Sequence, residues 1–319
     1  MAPLLRPRAL RAGDVVAIAA VSGGLEPNEA PLLEHGRREL ERLGFVVRVS
    51  PLVSLDLRHW YGPATPAETA AELNGLLRDP AVRAVFALTG GRGALPHLDL
   101  LDLAAVRADP KPLIGFSDIG VLHLALHAAT GLAGVHGDLV THGFGYWHED
   151  EAWSSRLAAS YRAVLTGEAA GALPATGAEQ CWRPGRAEGP LVGAMLNRLV
   201  RMQATRFALP PERFDGAILF WEETAAVSQV WNDLQVLRLA GVLARIAGMV
   251  VGPLATIEAP EGEPSVQDVV LAALGDRDVP VLADVPIGHE PPDWPLPLGV
   301  RAALDADART LSLVEPAAV

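Results

Sequence analysis

A serine stands between an apolar strand-like run and a helix-like run in Leu113-Ile-Gly-Phe-Ser-Asp-Ile-Gly120. A sharp strand-to-helix turn exposes a hydroxyl, and the N–H groups opening the helix can meet a developing oxyanion, so Ser117 is placed as a nucleophile would be. A plain helix cap by Ser117 or Asp118 is the competing reading of that stretch. Leu88-Thr-Gly-Gly-Arg-Gly93 is a glycine-rich turn after a strand, whose backbone N–H groups can approach a ligand closely. It lacks the ending of a P-loop and the spacing of a dinucleotide fingerprint. That leaves a tight turn, a phosphate cradle or, beside a nucleophilic Ser117, a second oxyanion donor. In the second half, Leu219-Phe-Trp-Glu-Glu223 and Pro286-Ile-Gly-His-Glu290 put Glu222 and His289 just past apolar strands. Serine hydrolysis needs a base for the hydroxyl proton and an acid that orients the base, and Ser117, Glu222 and His289 supply these in the order Ser, Glu, His. Taken singly, Glu222 also reads as a solvated strand end and His289 as a hydrogen-bonded loop residue.

A zinc site can be drawn as well. His123 and His127 lie four apart on one helix, and His136, Asp138, His142, His148 and Glu149 follow. The helix lacks the His-Glu-x-x-His form with its built-in base, so no metal and no other cofactor is expected. Cys181 is the single cysteine. It excludes an intramolecular disulfide and a cysteine-rich metal site, and it reads as a buried small residue.

The frame that must position these residues is long enough for one large or two medium domains, at 319 residues. With 26 Lys+Arg against 38 Asp+Glu the net charge is −12, and Lys111 is the only lysine. A duplex-binding protein needs a basic face, so nucleic acid is not the expected partner; a small or peptidic substrate is. Arg6, Arg8 and Arg11 before the apolar run Val15–Val21 imitate a secretion signal, but Asp14 and the shortness of the run argue for a buried strand. Ile119–Gly137, free of Asp, Glu, Lys and Arg, is long enough to span a bilayer. Its three histidines and several glycines make it soluble helix and loop, so no membrane is expected.

Strand-like and helix-like segments alternate through the first half, as in an α/β layer structure. Strands are expected at Val15–Val21, Phe45–Val49, Val82–Leu88 and Leu113–Phe116, and helices at Glu29–Leu43, Thr69–Leu77 and Ile119–Ala129. A parallel sheet with helical crossovers binds its ligand at the carboxyl ends of the strands. From about Glu149 to Gly189 the chain reads as irregular, with residues 166–188 as a linker between a domain at 1–165 and a smaller mixed domain at 189–319. In that second domain strands are expected at Gly216–Trp221, Met249–Ile257 and Val281–Val285, helices at Ser228–Ala240 and Val266–Leu274, and a hairpin over Val300–Val314.

These residues resemble the LD-carboxypeptidases among the serine peptidases, a family that includes the microcin C self-immunity peptidases. Leu10-Arg-Ala-Gly-Asp14 with its strand, Gly90-Gly-Arg-Gly93 with Leu98-Asp-Leu-Leu-Asp102, Pro110-Lys-Pro-Leu-Ile-Gly-Phe-Ser-Asp118 and Val135-His-Gly137 are similar to the family's first half. Gly189-Pro-Leu-Val-Gly193, Ile218-Leu-Phe-Trp-Glu222, Pro286-Ile-Gly-His289 and Pro297-Leu-Gly-Val-Arg301 are similar to its second. The resemblance implies a flavodoxin-like N-terminal domain, a barrel-like C-terminal domain, and a cytoplasmic, metal-free, usually dimeric enzyme. That enzyme releases a terminal D-amino acid from murein tetrapeptides during cell-wall recycling. It implies Ser117 as nucleophile, His289 as base and Glu222 as its orienting acid. Against the family pattern, Arg92 fills the variable place of the glycine loop, Gly193-Ala-Met-Leu196 replaces Gly-Gly-Asn-Leu, Glu223 replaces an aspartate, and Thr69 stands where an arginine is common.

On that reading the oxyanion lies against the N–H of Asp118 and one from Gly91 or Arg92, with Gly90 lining the substrate site. Arg92 is the expected partner of the substrate's terminal carboxylate, since a guanidinium binds it bidentately. Within the family the alternative substrate is an aminoacyl nucleotide amide, whose base Trp182 would stack. Outside it, the alternative is a non-catalytic flavodoxin-like binding module.

Overall fold

The computed structural model describes residues 3–54, 58–168, 171–254 and 262–319. The first sheet is built from β1 (Val15–Ala19), β2 (Val46–Val49), β3 (Val82–Ala87), β4 (Leu113–Ile114) and β5 (Val135–His136). They run parallel in the order β2-β1-β3-β4-β5, the flavodoxin-like arrangement, with the chain reversing direction across the sheet beside β1. The crossovers are α1 (Ala30–Arg42), α2 (Pro66–Arg78), α3 (Leu103–Ala108) and α4 (Ile119–Thr130). β1 and β3 are almost wholly buried, which is why their sequences are continuous apolar runs rather than alternating ones.

The helix α4 is apolar nearly all round, and Ile119 through His127 are all buried. Such a helix has to lie inside the molecule. It is twelve residues long and ends at Gly131 in the left-handed conformation, and no helix among the described residues is long and apolar enough to cross a membrane. Gly120, its second residue, faces Ala194 of the second sheet so closely that an added Cβ would sit 2.9 Å from the Ala194 methyl. One helix thus joins the turn at Ser117 to the other half of the chain.

Residues 149–189 hold more order than their composition suggests. Glu151–Thr166 forms α5, a sixteen-residue helix capped by the Asp150 carboxylate, which accepts from the N–H groups of Ala152 and Trp153. Within the expected linker, β6 (Gln180–Arg183) and the start of β7 (Arg186–Met195) are strands of the second sheet. The boundary drawn from composition is therefore too wide: small residues mark a surface crossing, and Leu157, Tyr161, Val164 and Leu165 supply the apolar stripe that buries α5.

The second sheet continues with α6 (Leu196–Met202), β8 (Ile218–Glu222), α7 (Val227–Leu239), β9 (Gly248–Val251), α8 (Val266–Leu274) and β10 (Val281–Ala283). The expected extension of β9 beyond residue 254 lies outside the described residues. β11 (Leu296–Pro297), β12 (Arg301–Asp305) and β13 (Thr310–Leu313) complete the chain. The order is β13-β12-β7-β8-β9-β10-β6, with β7 to β10 parallel and the outer strands antiparallel, a curled half-barrel left open at β13 and β6. β11 leaves this sheet and pairs with β5 of the first. Both large apolar clusters draw residues from both sheets, so the two halves share their core.

Candidate active site

The carboxyl ends of β1, β3 and β4 carry the loops that meet Ser117. Ser117 has φ 60°, a left-handed conformation strained for a residue with a Cβ, and α4 starts two residues later. Ser117 is half-buried in this tight strand-to-helix turn, and the Asp118 side chain does not cap the helix. That carboxylate instead accepts from Ser22 Oγ at 2.7 Å, Ala94 N at 3.0 Å and Arg198 Nε at 2.9 Å. The glycine loop packs backbone to backbone on the loop after β1. Gly23 N donates to Gly90 O, and a Cβ on Gly93 would lie 2.5 Å from Ser22 O. A Cβ on Gly90 would come within 3.2 Å of Ser117 Oγ, so its main chain runs directly beside the hydroxyl.

From the second sheet, Glu222 ends β8 and is buried, and its Oε2 accepts from His289 Nδ1 at 2.7 Å. The histidine reaches it because Gly288 (φ 97°) lies flat on the Glu222 side chain: a Cβ there would be 2.3 Å from Glu222 Cγ. The His289 ring also meets Phe116 edge-on, 4.8 Å between centroids, beside the Ser117 turn. Burial pulls the His289 pKa down, but the Glu222 hydrogen bond and charge, with Glu223's charge, outweigh it and hold it above 6.5. Burial raises the Glu222 carboxyl, and His289 opposes that rise.

Ser117 and His289 line one cavity of about 480 Å³ together with Gly90, Gly91, Arg92 and Trp60. Among the described residues no hydrogen bond joins Ser117 to His289; the two side chains face a shared space, as often precedes substrate binding. His289 also lines a second lobe of about 490 Å³, walled by aromatic rings. Arg92 is exposed in the first lobe. Trp182 lies elsewhere, on β6 at the edge of the second sheet and packed against the core, so it lines neither lobe. Cys181 beside it is half-buried on the same strand.

Two residues of this region escape a reading by motif. Trp60 is 81% exposed at the cavity mouth, on a loop whose neighbours gave no periodic signal. Arg198, on α6, is buried, ties Asp118 to Asn197 Oδ1 at 2.8 Å and reaches Gly91 O at 3.3 Å. Asn197 in turn donates from its backbone and side chain to Glu223, the residue replacing the family's aspartate. Leu196–Met202 holds two arginines, Arg198 and Arg201, and nothing in its pattern singles out the buried one.

Three histidines of the zinc alternative, His123, His127 and His136, serve the core, whereas His142 is exposed beside the cavity. His123 Nε2 meets Gly115 O at 2.9 Å and His127 Nδ1 meets Leu132 O at 3.0 Å, while His136 packs between Phe116 and Phe220. Burial lowers their pKa values to about 4, 4 and 3. Among the described residues no group of three or more His, Cys, Asp or Glu is arranged to hold a metal ion.

Two family models match the chain: the LD-carboxypeptidase N-terminal domain over residues 16–137 and its C-terminal domain over residues 188–304. A carboxypeptidase-named protein of Streptomyces coelicolor is 34% identical over 99% of this chain and 98% of its own. The murein tetrapeptide carboxypeptidase of Pseudomonas aeruginosa is 30% identical over 86% and 89%. Among solved structures, the microcin C7 self-immunity protein MccF in complex with glutamyl sulfamoyl guanosine superposes with a TM-score of 0.90 at 22% identity, covering 99% of this chain and all of that one.

Proposed function

The chain belongs to the LD-carboxypeptidase family, and from that premise we propose that it is a serine carboxypeptidase that cuts an L,D-peptide bond and releases the terminal D-amino acid of a murein tetrapeptide. The observation that carries the reading is the joint lining of one cavity by the strained Ser117 and the Glu222-held His289. His289, its Nδ1–H given to Glu222, takes the Ser117 proton at Nε2 as Oγ attacks the scissile carbonyl. The N–H of Asp118 and one from Gly91 or Arg92 receive the oxyanion, and the histidinium then protonates the leaving amine. Water activated by the same imidazole hydrolyses the acyl-enzyme. Arg92 binds the terminal carboxylate. The working form on this reading is a cytoplasmic homodimer, which sedimentation of the purified protein would test.

The test is mass spectrometry of products from L,D- and L,L-peptides. Release of D-alanine from the L,D-peptides alone is expected, and indifference to the stereocentre would overturn the reading. Arg92→Ala is expected to weaken cleavage of the free-carboxylate peptide more than that of its amide; equal losses would remove Arg92 from this role.

A second reading, hydrolysis of an aminoacyl nucleotide amide, is favoured by Trp60, whose exposed ring at the cavity mouth is free to stack a base. Cleavage of such an amide that collapses in Trp60→Ala, without D-alanine release from peptides, would favour it.

A further inference from the structure

A buried side chain that borders neither lobe ties together the two segments expected to receive the oxyanion. Arg198 stands on α6, in the second half of the chain, with its side chain 11% exposed. Its Nε donates to Asp118 Oδ1 at 2.9 Å and its Nη2 to Gly91 O at 3.3 Å, while Nη1 donates to Asn197 Oδ1 at 2.8 Å. Because it lines neither lobe, whatever it does for the reaction it does through Asp118 and Gly91.

The Gly91 carbonyl belongs to the peptide whose N–H is that of Arg92. Gly91 has φ 136° and follows another glycine, so side-chain sterics leave the orientation of that peptide open. The glycines bring the loop to Ser117; they do not fix which way the peptide faces. A planar trans peptide points its N–H away from its C=O. With the carbonyl drawn to Arg198, the Arg92 N–H turns away from α6, and Arg92 borders the cavity that holds Ser117. On the other wall, the same guanidinium holds the side chain of Asp118, whose own N–H is the first expected donor. That carboxylate also accepts from Ala94 N, at the far end of the glycine loop, and from Ser22 Oγ. One planar fork thus reaches the glycine loop directly at Gly91 and a second time, through Asp118, at Ala94.

We infer that Arg198 is a positioning residue of the oxyanion hole: from the opposite half of the chain it sets the spacing and aim of two donors, the N–H of Asp118 and that of Arg92. It singles out Arg92 over Gly91 as the source of the second N–H. The assignment rests on Ser117 as the nucleophile of the carboxypeptidase reading, and not on which substrate acylates it.

The test follows phosphonylation of the full chain by decyl ethoxyfluorophosphonate with intact-protein mass spectrometry. Ser117 Oγ bonds to phosphorus, fluoride leaves and His289 takes the hydroxyl proton. The phosphonyl oxygen occupies the hole, so the rate constant reads the donors without a peptide. Burial and, more weakly, the Arg198 charge hold the His289 pKa down while Glu222 and Glu223 raise it, so rates are compared on the alkaline plateau, where the imidazole is neutral in every variant. Arg198→Lys keeps the charge, but a single ammonium does not span Asp118 and Gly91 as a fork does, and a rate constant about tenfold lower is expected. Arg198→Met loses both contacts and should lower it about 10²-fold, the effect of one oxyanion donor. Partial unfolding would reduce the fraction labelled and leave the rate constant of the remainder, which separates positioning from mere support. With an L,D-tetrapeptide, kcat should fall in parallel while KM stays within about threefold. Unchanged rate constants in both variants, or a rise in KM with kcat intact, would overturn the assignment, as would an unsubstituted protein whose Ser117 takes no phosphonyl group. Parallel losses in a protein that releases no D-alanine from the peptide would refute the carboxypeptidase reading and leave the assignment standing.

Discussion

The two sheets bring their share of the site into place by different means. On the first, backbone shape does it: Ser117 is held at φ 60°, and Gly23, Gly90 and Gly93 let two loops touch main chain to main chain. On the second, side chains do it: Glu222 holds His289, Asp293 holds the Gly288 backbone, and Arg198 with Asn197 and Glu223 braces the junction. Shape set by glycines is local and tolerates distant change. A buried polar network is cooperative, and removal of one member leaves another unsatisfied.

Glu222→Gln tests that difference most severely. The base would lose its orienting charge, and kcat should fall on the order of 10⁴-fold, as loss of an orienting carboxylate does in a serine triad. The pH profile should move too. His289 must be neutral to accept a proton, so in the unsubstituted enzyme activity rises with pH on a limb above 6.5. Without the Glu222 charge burial dominates, and that limb should shift to lower pH. A limb that stays in place would separate His289 from the rate.

Arg198→Met comes next. It strands the Asp118 carboxylate, 5% exposed, between the sheets, and loss of one partner of a buried pair costs about 3–5 kcal/mol. Thermal melting should show the loss, and Asp118→Asn in the same chain should recover part of it. Full additivity of the two changes would mean that the pair does not brace the junction.

The smallest effects concern single methyl groups. Gly288→Ala places a Cβ 2.3 Å from Glu222 Cγ at φ 97°, and Gly90→Ala one 3.2 Å from Ser117 Oγ. The first should cost roughly 10²-fold in kcat, in line with a 1 Å displacement of a catalytic group, and the second about tenfold or less. Steady-state kinetics on both variants ranks them. The reverse order would break the contrast between a rigid nucleophile side and a networked base side.

The same contrast governs what could be read from the chain. The parallel sheet, the Ser117 turn and the glycine loop are written in consecutive residues, where apolar runs and glycines keep their meaning without tertiary context. Glu222 and His289 were recognisable as strand ends, but their 2.7 Å bond depends on Gly288 lying against a side chain 66 residues away in sequence. α5 was hidden because its stripe of Leu157, Tyr161 and Val164 sits among small and polar residues that alone read as loop. Trp182 stood beside β7 in sequence, yet its strand is the far edge of the sheet, a placement fixed only by pairing with β10. Arg198 and Asp293 were illegible because a lone buried charge declares itself only through its partners.

The central claim, that Ser117 Oγ is acylated by the substrate, is tested most directly by rapid-quench mass spectrometry of the whole protein mixed with an L,D-tetrapeptide. The account predicts a transient adduct of the peptide minus its terminal D-amino acid, mapping to the Leu113–Gly120 stretch and absent from a folded Ser117→Ala variant. Turnover by that variant at a near-normal rate would contradict it.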